Sequence, residues 1–257
     1  MQYLQVIKIG TSSVFRDGTI DYLVLSNLGY DLAKLRFERE TASVLVVSGA
    51  IPLGMKEKGI TTRPSDPIEL QSCARVGQTK LMETYTLGLK QGYGRYSQEK
   101  SLDLEVLTSQ FLPTYHQLDE SIERRNIVTG LVYDTNQGII PLVNYNDGVD
   151  PSEVTRDNDT LAARLAKALI AGRLVILTDD GLQDAEGKLI LKVSEVTAEI
   201  KVLCRDKKSD LSTGSMLTKL EAADLLLKEG IPTIIGNTRY GLLELIENER
   251  IRTIFTK

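Results

Sequence analysis

The sequence has few of the residues from which acid–base and metal sites are commonly built: one histidine and two cysteines in 257 residues. Cys73 and Cys204 each stand alone, without C-x-x-C or Cys/His spacing. Neither a zinc site nor a disulfide framework is therefore indicated, and both read as ordinary thiols. The histidine, His116, falls between Pro113-Thr114-Tyr115 and Gln117 in an expected loop, where it reads as a surface or packing residue.

An excess of positive charge is lacking too. The formal net charge is −4, and the densest basic stretch, Lys201 to Lys208, carries Asp206 inside it. A polyanion-binding surface is not expected, and nucleic acid is excluded as a partner. No run approaches the roughly 20 apolar residues of a membrane span. Met1 leads directly into a strand-like segment, leaving no secretory apolar region. These absences point to a cytoplasmic protein with no membrane contact. There is also no internal repeat, low-complexity tract or Pro/Ser-rich linker, although Arg63–Asp66 and Arg205–Ser212 read as surface loops.

What is present is ordinary globular composition, 42% hydrophobic and 26% charged, enough for a sizeable core in a single domain. Short β-branched runs, Leu4–Lys8, Ser43–Val47, Leu104–Leu107, Ile139–Val143, Leu174–Leu177 and Pro232–Ile235, read as buried strands. Between them lie amphipathic helices. Tyr22–Arg36 places Leu25, Leu28, Leu32 and Leu35 on one stripe, and Met216, Leu220, Ala223 and Leu227 form another. A further strand-like segment, Thr253–Phe255, lies near the end. Such alternation predicts an α/β fold, a mostly parallel sheet with helices on both faces, whose ligands sit beyond the carboxyl ends of the strands.

The residues just after the strands carry the chemistry. The first strand runs into Lys8-Ile9-Gly10-Thr11-Ser12-Ser13, a lysine followed by a glycine and three hydroxyls. That pattern suits phosphate binding through close backbone amides and side-chain donors, and it also suits a plain turn. The second ends in Ser48-Gly49-Ala50, which would set a similar turn beside the first. A later strand ends in Asn144-Tyr145-Asn146-Asp147, and Arg156-Asp157-Asn158-Asp159-Thr160 opens a helix bearing Leu161, Leu165 and Leu169. Asp157 and Asn158 are good helix caps, but two turns so rich in amides and carboxylates exceed what capping needs. Thr178-Asp179-Asp180-Gly181 could meet a nucleotide or Mg²⁺, or be a loop. Finally, Ser212 to Lys219 leads a second lysine into the last long helix.

In this order the turns resemble the amino acid kinase family across Val6 to Gly236. The matching motifs are K-x-G-[ST]-S at Lys8–Ser12, S-G-A-I at Ser48–Ile51 with Gly54, and Q-x-x-A-x-V-G-Q at Gln71–Gln78. They continue with N-x-N-D at Asn144–Asp147, D-N-D-x-L at Asp157–Leu161, T-D at Thr178–Asp179 and T-G-x-M-x-T-K-L at Thr213–Leu220. The paired N-x-N-D and D-N-D turns are most similar to the branch of the family that acts on glutamate.

The resemblance implies a three-layer αβα sandwich in one domain, with an amino-acid-binding lobe over about residues 1–170 and an ATP-binding lobe over about 171–257. It implies transfer of the γ-phosphoryl group of ATP to the side-chain carboxylate of L-glutamate, at the start of proline biosynthesis. Lys8 and Lys219 match phosphate-contacting lysines, and Asp159 matches the acidic residue that orients them. Ser48, Asn144, Asp147 and Asn158 match glutamate-binding positions. Lys8, Gly10, Thr11, Gly49, Thr178, Asp179, Thr213, Gly214, Ser215, Met216, Thr218 and Lys219 match nucleotide contacts. Mg²⁺ is expected to be held mainly through the ATP phosphates, with no direct side-chain ligation. The resemblance further implies a homodimer or homotetramer, proline as a feedback inhibitor, and glutamyl phosphate reductase as a partner. The chain ends soon after Phe255, so the appended RNA-binding-like PUA domain of many bacterial relatives is expected to be missing.

Some positions depart from the pattern. Tyr145 stands where the family usually has Glu, Arg156 where it has Gly, Ser215 where it has a second Gly, and Gln183 where an adenine-side Tyr is common. The 178–181 turn is one residue short. Two alternatives therefore stay open: another small-acid kinase of the same fold, or a catalytically weak glutamate- or proline-binding regulatory relative.

Overall fold

The computed structural model describes residues 3–16, 19–119, 122–150, 158–203 and 215–257. Its first half comprises β1 (Tyr3–Ile9), α1 (Thr11–Val14), β2 (Phe15–Arg16), β3 (Thr19–Ile20), α2 (Tyr22–Arg39), β4 (Thr41–Val46), α3 (Ala50–Glu57) and α4 (Pro67–Lys100). There follow β5 (Thr108–Phe111), α5 (Tyr115–Leu118), α6 (Ile122–Asn136), β6 (Ile140–Val143), α7 (Asn158–Ala168), β7 (Arg173–Thr178), β8 (Lys192–Val193) and α8 (Ala198–Val202). The chain continues through α9 (Met216–Lys228), β9 (Thr233–Asn237), α10 (Leu242–Glu247) and β10 (Arg252–Phe255).

Eight strands form one sheet in the order β5-β6-β4-β1-β7-β9-β10-β8, while β2 and β3 pair separately. Every pairing in the large sheet is parallel except that of β9 with β10. From β1 the chain builds outward to β4 on one side and later returns to add β7 and β9 on the other. This reversal of strand order opens a crevice beyond the carboxyl ends of the central strands.

Alternation along the strands sorts the core into two layers. Val6, Val44, Val46, Val143 and Ile176 face one way, against Leu161 and Leu165 of α7, Leu220 and Ala223 of α9, and Leu131 of α6. Ile7, Ile9, Leu45 and Leu177 face the other, against Leu25 and Leu32 of α2, Leu81 and Leu89 of α4, and Leu242 and Leu245 of α10. The expected αβα sandwich is thus present. Asp21 starts α2 by accepting the amides of Leu23 and Val24, and Asp66 starts α4 ahead of Pro67. A cap contributes about 0.5–2 kcal/mol, whereas each fully buried leucine contributes about 1.5–3 kcal/mol. The register of α7, with Leu161 and Leu165 both fully buried, is therefore set chiefly by packing.

Three expectations are revised. Leu104–Leu107 is irregular chain, and the strand lies one step further on at Thr108–Phe111, paired with Ile140–Val143. Val106 is buried without joining a ladder, and the Ser97 hydroxyl, which accepts the Leu104 amide at 3.2 Å, ties down the approach. An apolar run thus meets the core through packing, while the more polar run beside it takes the sheet edge. His116 lies exposed on the short helix α5. The helix begun at Tyr22 continues to Arg39. Arg156, Asp157, Cys204, the 205–212 loop, Thr213 and Gly214 lie outside the described residues.

Candidate functional site

The turns after β1, β4, β6 and β7 lie along one edge of the sheet, and the first two residues of α7 face them. Alternation places Lys8 on the α7 side of β1, beside Val6. Its Nζ lies 2.6 Å from Asp159 Oδ1, while Lys219 Nζ, from the first turn of α9, lies 3.0 Å from Oδ2. The Thr218 hydroxyl sits between Asp159 Oδ2, at 3.1 Å, and the carbonyl of Ser215, at 2.8 Å. Asp159 is fully buried, and both lysines are nearly so. Among the described residues, two ammonium groups share the one carboxylate, which lowers the cost of holding each charge in a desolvated setting.

One residue earlier on the same helix, a neutral network forms. Asn158 Nδ2 donates toward Ser48 Oγ at 2.7 Å, Asn144 Oδ1 at 3.1 Å and the Val47 carbonyl at 3.1 Å. Asn144 Nδ2 in turn donates to Gln78 Oε1 at 2.8 Å. Asn158 Oδ1 and Gln78 Nε2 are both buried without a hydrogen-bond partner among the described residues. One is an acceptor and the other a donor, so the network has capacity for an amphoteric guest. Asp147, also buried, closes the turn after β6 by donating its backbone N–H to the Tyr145 carbonyl at 3.0 Å.

The two glycine turns differ. Gly49, the N-cap of α3, has φ +119°, and a side chain there would meet the Phe15 ring at 2.5 Å. Gly10 has an ordinary φ of −69°, and its N–H is spent on the Leu177 carbonyl at 3.2 Å. A methyl group at Gly10 would lie 3.9 Å from Lys8 Nζ. It would also meet Ser13 Oγ at 3.4 Å and the Leu177 carbonyl at 3.6 Å, all ordinary contacts, so Gly10 is not required here by a special backbone shape.

The remaining candidates line the same edge. Thr11 begins α1, Ser215 caps α9 by accepting the Thr218 amide, and Met216 is the first residue of α9. Thr178, buried at the end of β7, and the exposed Asp179 bond through their carbonyls to Thr238 and Asn237, in the connection from β9 to α10. Among the described residues, no direct hydrogen bond joins these two to either network. Nor, among those residues, is any cluster of three or more His, Cys, Asp or Glu placed to hold a metal, and no helix is long and apolar enough to cross a membrane.

Gln78 and Asn237 were not among the expected site residues. Gln78 closes the Q-x-x-A-x-V-G-Q run, and its place depends on its neighbour Gly77, where a Cβ would fall 1.8 Å from the Ala50 carbonyl. Only a residue without a side chain lets α4 press so close to α3, bringing Gln78 against the turns after β4 and β6.

A buried lysine–aspartate–lysine centre beside an amide-rich hydrogen-bond network, at the carboxyl edge of a largely parallel αβα sandwich, fits a small-molecule phosphotransferase architecture. The chain belongs to the amino acid kinase family, whose profile matches residues 4–237. Among its relatives, the glutamate 5-kinase of Listeria monocytogenes serotype 4b (strain CLIP80459) is 34% identical over 265 residues, covering 97% of this chain and 91% of that protein. The glutamate 5-kinase of Ligilactobacillus salivarius is 33% identical, covering 98% and 95%. Solved structures of the same fold include carbamate kinase from Giardia lamblia bound to AMP-PNP, with a TM-score of 0.62 and 17% identity over 99% of this chain and 98% of that one. N-acetylglutamate synthase from Neisseria gonorrhoeae has a TM-score of 0.68 and 16% identity, covering 99% of this chain and 61% of that one.

Proposed function

We propose that the chain transfers the γ-phosphoryl group of ATP to the side-chain carboxylate of L-glutamate, giving glutamyl 5-phosphate in the first step of proline biosynthesis. The observation that carries this reading is the juxtaposition of Asn158 and Asp159, consecutive residues that hold an amide network and a cationic centre side by side. The buried, unmatched Asn158 Oδ1 and Gln78 Nε2 suit the ammonium and a carboxylate of an amino acid. Ser48, Asn144, Asp147 and Asn158 would complete that subsite.

The acceptor needs no general base, because a glutamate carboxylate, which ordinarily titrates near pH ~4.3, is already ionised at neutral pH. The obstacle is repulsion between two anions. Lys8 and Lys219 would neutralise the transferring group, and Asp159 would fix both ammonium ions before the substrates arrive, so that little reorganisation accompanies the reaction. Gly10, Thr11 and Gly49 would surround the phosphoryl group, with Thr178, Asp179 and residues 213–219 toward the rest of ATP. Both oxygens of Asp159 are engaged by lysines, so Mg²⁺ is assigned to the ATP phosphates, where it would supply further charge neutralisation. The amino acid would sit toward β4 and β6, within residues 1–170, and ATP toward β7 and α9. Proline as a feedback ligand, a homodimer or homotetramer, glutamyl phosphate reductase as partner and a cytoplasmic location belong to the same reading.

The test is ATP turnover against a panel of small acids, with the acyl phosphate trapped by hydroxylamine. Glutamate-dependent hydroxamate is the expected product. Glutamate binding without turnover would replace this reading with that of a sensor, and hydroxamate from a different acid would reassign the substrate.

A further inference from the structure

The turn bearing Asn144 and Asp147 also carries Tyr145, where the resembling family usually has glutamate. Tyr145 is only 1% exposed. Its ring packs on Tyr115 of α5, with centroids 4.6 Å apart, and its hydroxyl hydrogen-bonds to Asp150 Oδ2 at the far end of the same turn. The Arg164 guanidinium of α7 lies over the other partner, 5.2 Å from the Tyr115 ring centre. Around this side chain the turn is closed by main-chain bonds, Asp147 N to Tyr145 O at 3.0 Å, Asn146 N to Pro113 O at 3.1 Å and Asp150 N to Asn146 O at 3.2 Å.

We propose that Tyr145 and Asp150 form a latch that fixes the Asn144–Asp147 turn against α5 and α7, making Tyr145 a positioning residue for the amino-acid subsite. This rests on reading that subsite as the place of the phosphoryl acceptor. The two residues are a matched pair. A glutamate at position 145 would set a second carboxylate in a buried position beside Asp150, where like charges oppose ionisation, whereas a phenol gives the Asp150 carboxylate a proton to accept. The latch ties the two ends of the Tyr145–Asp150 stretch together, with Asp147 inside it and Asn144 just before it. Loosening it disperses the substrate-facing groups without touching the Lys8–Asp159–Lys219 centre.

The test compares Tyr145→Phe, Asp150→Ala, Asp150→Asn and the Phe/Ala double variant by steady-state kinetics and thermal unfolding. Tyr145→Phe is expected to raise KM for the acceptor about tenfold or more, the scale of one lost hydrogen bond to a charged group, with KM for ATP and kcat within about twofold. The double variant should be no worse than either single one, because both remove the same contact. Asp150→Asn, which keeps an acceptor for the hydroxyl, should recover most of the affinity lost in Asp150→Ala. An unchanged acceptor KM in Tyr145→Phe, equal changes in both KM values, or an additive double variant would overturn the latch. Absence of turnover by the wild-type protein with every acid would overturn the parent reading and the latch together, so the two failures are distinguishable.

Discussion

Asn158 and Asp159 are neighbours on one helix, are both buried, and organise opposite kinds of chemistry. Among the described residues, the Asp159 carboxylate meets two lysine ammonium groups and the Thr218 hydroxyl. Among those residues, the groups hydrogen-bonded to Asn158 are neutral, and one acceptor and one donor of the network are left over. Charges in a core survive desolvation only when each has an opposite partner close by. A neutral network can keep spare hydrogen-bonding capacity at a cost of about 1–3 kcal/mol per group, which a ligand then recovers. The first arrangement suits rate, and the second suits selection.

The comparison is broken most directly by removing a cation. Lys8→Ala and Lys219→Ala should each lower kcat by about a hundredfold or more, the scale seen when one preorganised charge-stabilising donor is lost. A near-normal kcat in either variant rules out the charged centre as the source of rate. Asp159→Asn is next. It makes the charged residue resemble its neutral neighbour and leaves two buried ammonium groups without their carboxylate, so kcat should fall more than either KM. The free protein should also lose stability, up to the roughly 3–5 kcal/mol found when a buried pair is broken, with ATP restoring part of the loss. An effect confined to KM contradicts the orienting role.

Gln78→Ala sharpens the other side. It removes a spare donor and should raise KM for glutamate about tenfold, with little change in KM for ATP, since an unmatched buried polar group costs about 1–3 kcal/mol. Parallel changes in both constants would mean that the two networks are not separable.

The smallest effect is expected at Asp31, a carboxylate on α2 that caps α10 by accepting the amides of Leu242 and Leu243 at 2.8 and 3.1 Å. Burial, the largest influence, pushes its carboxyl above the usual range despite those bonds. The folded state therefore favours the protonated form. Stability from this group is fully present below the unfolded value and is lost as pH rises through the folded one. Asp31→Asn keeps an acceptor and removes the charge, so its Tm at pH 7 should exceed that of the wild type by about 2 °C, with the difference shrinking toward pH 4. A gap that widens on acidification reverses the sign and refutes the argument.

The charged centre was legible in the sequence because its parts stand in local motifs, Lys8 before a glycine turn, Asp159 at a helix start and Lys219 after a Ser/Thr run. The central strands were legible because they are continuous apolar runs. Gln78 closes a matched motif, but the motif alone gives it no role, because its approach to the site depends on Gly77 letting a 34-residue helix close on α3. The edge strand Thr108–Phe111 escaped because pairing on one side only asks little of its side chains, and its apolar neighbour Leu104–Leu107 offered a stronger pattern. β8, two residues long, carries too little pattern to read. Tyr145 was visible as a departure, but its bond to Asp150 and its packing on Tyr115 are matters of tertiary structure.

The adjacency of Asn158 and Asp159 also bears on how such a site can change by mutation. Successive helical positions point about 100° apart, so gaining one codon between Thr160 and Leu161, with Leu161 and Leu165 still seated in the core, would change which side chain faces each partner. Asp159 would then stand where the amide belongs and Thr160 where the carboxylate belongs. Substitutions can retune either half of the pocket separately, whereas a change in length at this junction disables both at once.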